Sequence, residues 1–163
     1  MRNRSFVKRM TALALALMFL VVSNVARVEA APACDLTPEQ IKTVATNMFD
    51  RFAAMDAEGT AALFAPDGTI EDPVGNPPVQ GTQAIITYLQ GFPTILNEIR
   101  IQSFDVTVAG QEAAIKWRLR FKTKSGNVFF VDGIGILHIN ENGKVQSDRE
   151  YFDFAYFQSQ LLQ

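Results

Sequence analysis

Asp72 stands in the stretch IEDPVGNPPVQGTQAII, from Ile70 to Ile86, where a short apolar run gives way to a loop stiffened by Pro73, Gly75, Pro77 and Pro78. A carboxylate fixed beside a proline at the mouth of such a loop raises the question of whether it is placed there for chemistry. The same aspartate can instead simply end a strand and accept amide hydrogens of the loop. Further along, Lys116, Arg118 and Arg120 alternate in one segment, and Asp148, Glu150 and Phe152 in another. If these segments face each other across a sheet, bases and carboxylates share one charged interior.

Other chemistries find little support. His138 is the single histidine and Cys34 the single cysteine, so a metal site is not expected. No nucleotide-binding glycine motif, nucleophile elbow or Ser-His-Asp constellation occurs, and Gly133-Ile134-Gly135 belongs to a strand pattern rather than a phosphate loop. The expectation is chemistry without a metal or a cofactor.

The elements that must position these residues follow from periodicity. Thr37-Pro38-Glu39-Gln40 is a helix start, with Thr37 as cap, Pro38 in the first turn and Gln40 completing a capping box. Ile41, Val44, Ala45, Met48, Phe49, Phe52 and Met55 then form one helical face. A short second helix is expected near Thr60 to Phe64, ended by Pro66-Asp67-Gly68. A strand from Thr69 to Asp72 follows, and then a third helix opening at Gly81-Thr82 with Ile85, Tyr88, Leu89 and Phe92 on one side. After Pro93 the period becomes two: Ile99 to Val108, Ala113 to Lys124, Val128 to Ile139 and Lys144 to Phe154 read as four consecutive antiparallel strands. Phe157, Leu161 and Leu162 suggest a last helical turn. Helices first and a long meander afterwards make an α+β domain, in which a curved, cone-shaped antiparallel sheet wraps around N-terminal helices.

The N-terminus reads differently. Arg2, Arg4, Lys8 and Arg9 precede an apolar run from Thr11 to Ala26, and small residues follow at Val28 to Ala30 and Ala31 to Ala33. Residues 1–33 are therefore expected to be a signal peptide, and residues 34–163 a single exported domain, periplasmic or secreted, with no stable membrane association after cleavage. Without the leader the chain keeps ten basic against sixteen acidic residues, a balance that argues against nucleic-acid binding. One cysteine allows no intrachain disulfide, so packing alone must hold the domain.

The element order, together with EDPVGNPPVQG, resembles the ketosteroid isomerase branch of the NTF2-like (SnoaL-like) superfamily, from about Phe64 to Phe152. The resemblance implies that Asp72 is the base that shuttles a proton between carbon atoms. In that branch a tyrosine hydroxyl and a protonated aspartic acid stabilise the oxyanion. Here Met48, Phe49 or Phe52 holds the tyrosine's place and Gly135 that of the acid. Removing one such donor typically costs about 2.7–4 kcal/mol of transition-state stabilisation. The segment DREYFDFAYF, from Asp148 to Phe157, is also similar to the end of the limonene epoxide hydrolase-like proteins, with Glu150 at a catalytic acid's position. Lys116 and Arg118, however, stand where that branch has an arginine and an aspartate.

If Gly135 faces inward, so do Phe129, Val131, Gly133, Leu137 and Ile139. A two-residue Ser125-Gly126 turn then pairs Lys116 with Gly135, Arg118 with Gly133 and Arg120 with Val131, all inside. Ile115, Trp117, Leu119, Phe121, Phe130, Ile134 and Ile136 would be left on an outer face that a homodimer would cover. A bulge or a longer turn reverses the hairpin, sending Trp117 and its neighbours to the core and the basic residues to water. The sequence leaves both registers open.

The resulting expectation is a ketosteroid isomerase-like domain that binds a small apolar molecule carrying a polar or anionic group. Its pocket would be lined by Met48, Phe52, Phe64, Tyr88, Val131, Gly133, Gly135, Asp148 and Phe152. Proton transfer would run from Asp72, with Lys116, Arg118 or Glu150 assisting. The alternatives are a ligand-binding or assembly domain without turnover, and an epoxide hydrolase-like or polyketide cyclase-like enzyme.

Overall fold

The computed structural model describes residues 36–163; the signal peptide expected over residues 1–33, and Cys34, lie outside them. Helix α1 (Pro38–Ala53) begins as its sequence dictates: Thr37 Oγ1 accepts the Gln40 amide at 3.2 Å and Gln40 Oε1 accepts the Thr37 amide at 2.7 Å. Its buried face is Ile41, Ala45, Met48 and Phe49. The chain continues through α2 (Ala57–Ala61), β1 (Phe64–Glu71), β2 (Val79–Gln80), α3 (Thr82–Leu89), α4 (Phe92–Ile95), β3 (Leu96–Ala109), β4 (Glu112–Thr123), β5 (Val128–Ile139), β6 (Val145–Phe152) and α5 (Phe154–Leu161).

The six strands form one curved, open sheet in the order β2-β1-β6-β5-β4-β3. The fold is thus the α+β architecture expected, with the helices against the sheet's inner face. Strands β3 to β6 are antiparallel neighbours, whereas β1 joins β6 in parallel, pairing Ile70 with Asp148 and Glu71 with Arg149. Pro66-Asp67-Gly68 does not end a helix. It lies within β1, where the pairing with β6 shifts between Phe64 and Thr69, because a proline in a strand is accommodated at such an irregularity.

The hairpin takes the second of the two registers that the sequence leaves open. The β4–β5 turn contains three residues, Lys124, Ser125 and Gly126, with Gly126 at φ 96°. It is closed by the Thr123 amide on the Asn127 carbonyl at 2.9 Å and the Gly126 amide on the Thr123 carbonyl at 3.1 Å. One residue more than a two-residue turn shifts every pair by one, so Lys116 faces Ile134, Arg118 faces Asp132 and Arg120 faces Phe130. Side chains alternate across a strand, so this shift exchanges the two faces. Ile115, Trp117, Leu119 and Phe121 are buried, while Lys116 and Arg118 are exposed and Arg120 is half-buried, paired with Glu98. The inner face of β5 is as expected, with Phe129, Val131, Leu137 and Ile139 buried. On the outer face Phe130, Ile134 and Tyr151 remain exposed beside Arg118 and Arg149, whose guanidinium groups lie over the Phe130 and Tyr151 rings at 5.3 and 5.6 Å.

Candidate functional site

Between the helices and the sheet lies a cavity of about 90 Å³, several times the space that one water occupies. Its walls are mostly aromatic. Phe49 and Phe52 come from α1, Tyr88 from α3, Trp117 and Phe121 from β4, and Phe154 and Phe157 from α5. The polar groups are few, and three of the five are acidic: Asp72, Asp148 and Glu150, together with Tyr88 and Thr60.

Three elements bring the acids together. Parallel pairing sets Ile70 beside Asp148, so Asp72, two residues on, reaches the level of Glu150. The loop after Asp72 is tied down on both sides. The Asp72–Pro73 peptide is cis, and the Val74 amide donates to the Glu150 carbonyl at 2.8 Å. Glu71 accepts the Gly75 amide at 2.9 Å and the Arg149 guanidinium at 3.3 Å. This explains an aspartate fixed beside a proline: Glu71 secures the loop from outside, and Asp72 turns inward.

Inside, the Tyr88 hydroxyl donates to Asp72 Oδ2 at 2.7 Å. Tyr88 is steadied by an edge-on contact with Phe92 at 5.5 Å, and Phe92 by another with Phe52 at 5.1 Å. Burial raises the pKa of Asp72, and the Tyr88 hydrogen bond partly offsets that rise. The Tyr88 phenol is itself held protonated by burial and by the neighbouring Asp72 charge.

Asp148 and Glu150 form a buried pair, with only 6% and 7% of their surfaces exposed. Trp117 Nε1 donates to Glu150 Oε2 at 2.7 Å. With both acids ionised, Asp148 Oδ1 has no hydrogen-bond partner, a costly state for a buried polar atom. One proton between the two carboxyls removes that cost. Burial, then the Glu150 charge, pushes Asp148 well above the usual carboxylate range. Burial, then the Asp72 charge, pushes Glu150 up to about 7, against the lowering effect of hydrogen bonds from Asp148 and Trp117.

Trp117 owes its place to two glycines. A Cβ on Gly133 would overlap the indole ring, and one on Gly135 would lie 2.6 Å from Glu150 Oε1. The gap that these glycines leave is filled by an indole and a carboxyl group, not by the long basic side chains expected from the sequence. Those basic side chains were expected there only in the register of a two-residue turn, which the hairpin does not adopt.

Of the residues proposed from sequence, Asp72, Glu150, Met48, Phe52, Phe64, Tyr88, Asp148 and Phe152 line the cavity. Val131, Gly133 and Gly135 lie in the wall behind it, and Lys116 and Arg118 are on the opposite face of the sheet. Lys116 and Arg118 therefore cannot serve an oxyanion formed at Asp72. Trp117 was missed as a site residue. The signal that could have found it was a lone tryptophan that a three-residue turn sets directly opposite Gly133. Among the described residues no Lys, Arg or His lines the cavity, and no cluster of His, Cys, Asp and Glu is arranged to hold a metal ion.

Comparison with known proteins agrees with this architecture. The model of the SnoaL-like domain matches residues 45–147. A steroid Delta-isomerase of Nocardioides simplex is 26% identical over 114 residues, which make up 69% of this chain and 89% of the isomerase. Among solved structures, a putative polyketide cyclase of Xanthomonas campestris pv. campestris superposes with a TM-score of 0.69 at 13% identity, covering 76% of this chain and 97% of its own. An NTF2-like protein of unknown function from Burkholderia pseudomallei gives 0.66 at 17% identity, with coverages of 76% and 98%. SalBIII, an epoxide hydrolase/cyclase-like enzyme with a role in pyran ring formation in the polyether salinomycin, gives 0.62 at 18% identity, with coverages of 72% and 93%.

Proposed function

This chain belongs to the SnoaL-like domain family, and on that footing we propose that its cavity binds a small, apolar ring compound with a carbonyl group and moves a proton on it without a cofactor. Asp72 takes a proton from a carbon next to the carbonyl. The proton shared by Asp148 and Glu150 is lent to the carbonyl oxygen as charge develops there. The supporting observation is the separation of roles among three acids in one cavity. Asp72 receives a phenol hydrogen bond that favours its charged form, while Asp148 and Glu150 are buried as a pair that favours keeping a proton. Burial raises all three carboxyls, but only Asp72 has a phenol donor that partly offsets the rise, and acids whose surroundings set their pKa values apart are suited to act as base and acid. In this reading the acid pair supplies what the residues at the tyrosine position (Met48, Phe49 or Phe52) and the aspartic acid position (Gly135) cannot.

The test is exchange of deuterium from heavy water into a Δ5-3-ketosteroid and into simpler ring ketones, followed by mass spectrometry alongside the appearance of conjugated enone absorbance. The protein should accelerate exchange, and Asp72→Asn should lower the rate by at least about a hundredfold, in line with the usual contribution of general acid–base catalysis. Equal rates for the two proteins would overturn the assignment of Asp72.

A second reading has one observation in its favour. Met48, Phe49 or Phe52 at the tyrosine position and Gly135 at the aspartic acid position suit a binding domain that no longer turns its ligand over. Saturable ketone binding without exchange in either protein would select it. Export behind residues 1–33, and a homodimer formed through the outer sheet face, complete the proposal.

A further inference from the structure

We propose that the inner end of this cavity is a site for a lipophilic cation, an apolar ring compound bearing a protonated amine whose N–H groups take the place of the proton shared by Asp148 and Glu150. This goes beyond carbonyl chemistry at Asp72 and does not depend on it.

The argument starts from an imbalance of donors and acceptors. Three carboxyl groups face one apolar space, and the donors turned toward them are the Tyr88 hydroxyl on Asp72 and the Trp117 N–H on Glu150. Asp148 Oδ1, in a residue 6% exposed, has no partner when the pair is ionised. In the empty cavity a proton corrects this. An ammonium group set against the cavity-facing side of the pair brings three donors and a full charge that offsets two carboxylates in a medium where unpaired charge is costly.

The walls suit the same guest. Trp117, Phe121, Phe152 and Phe157 offer ring faces and edges around the acid pair, and aromatic faces attract a desolvated cation. The titratable groups facing the pair are Asp72 at the end of β1 and Tyr88 on α3. No lysine, arginine or histidine among the described residues competes for the position. By the same logic an anion is refused, which reverses the sequence expectation of an anionic group on the ligand.

The proton balance is explicit. A protonated amine entering from water displaces the protons held by the pair, which leave to solvent, and the pair becomes two carboxylates bridged by N–H groups. Binding therefore releases up to two protons below the pH at which Glu150 loses its own, and up to one above it.

Trp117, the single tryptophan, reports directly on the cavity. The full chain is titrated with 1-adamantanemethylamine, 1-adamantanemethanol and 1-adamantanecarboxylic acid near pH 6.5, three probes that share one cage and differ in charge. The amine should bind at least about tenfold tighter than the alcohol, and the carboxylate should be the weakest. Calorimetry in buffers of different ionisation enthalpy should show proton release with the amine and none with the alcohol. In Asp148→Asn the amine should lose about tenfold while the alcohol, which shows that the cavity is intact, stays within about threefold. Glu150→Gln provides a second variant with the same expectation. A carboxylate that binds as well as the amine, or an amine that binds no tighter than the alcohol in the unaltered protein, overturns the proposal without any variant. Because no ketone is present, that result leaves the Asp72 assignment to its own exchange assay.

Discussion

At the scale of single residues, the site depends on side chains held where water would normally be. Glu150 carries the clearest consequence. Its pKa lies above the ordinary glutamate value, pushed up to about 7 by burial and by Asp72, so the folded protein holds a proton that the unfolded chain has already released. The contribution of such a group is fully present below the unfolded value and is lost as pH rises through the folded one. Unfolding free energy should therefore fall by a few kcal/mol between about pH 4.5 and about pH 7, and Asp148 adds in the same direction. Denaturant titrations across this range check it, and Glu150→Gln should flatten the dependence. Gly133 acts through shape alone. Gly133→Ala would drive a methyl group into the Trp117 ring, and a lowered denaturation midpoint corresponding to about 1–3 kcal/mol is expected from overpacking of this kind.

Among the elements, strands and helices were legible in the sequence wherever the apolar period was sustained. The capping box at Thr37 and Gln40 located α1, and β5 runs over the same Val128–Ile139 span that alternation suggested. The short pieces, β2 and α4, were not legible, because two and four residues carry no period. Asp72, Asp148 and Glu150 could be singled out by their types and spacing. What surrounds them could not, because one loop residue decides which face of β4 looks inward. The side-chain period of two makes a strand blind to such a slip unless one face is plainly the more apolar. On β4 the face of Ile115, Trp117, Leu119 and Phe121 is the more apolar, but β5 carries apolar residues on both faces, Val131 and Leu137 on one and Phe130 and Ile134 on the other, and so does not choose between the registers. Deleting Ser125 should force the basic side chains inward and abolish soluble, folded protein. Gly126→Ala, which only strains a positive φ, should cost about 1 kcal/mol. Circular dichroism and thermal melts distinguish the two outcomes.

For the whole molecule, the open sheet leaves an outer surface that mixes Phe130, Ile134 and Tyr151 with basic and acidic neighbours. If two copies meet there, Ile134→Asp should shift sedimentation from dimer to monomer while leaving the cavity's tryptophan response unchanged, since Ile134 points away from it. The same sheet has a consequence in time. Asp72 ends the first strand, while Asp148 and Glu150 lie on the last, and the parallel seam between β1 and β6 is what brings them together. Contacts so distant in sequence are among the slowest to form. A ribosome-bound or partly threaded chain that has not yet delivered β6 therefore has no acid pair to offer, and stays inert toward any guest until its final strand has docked.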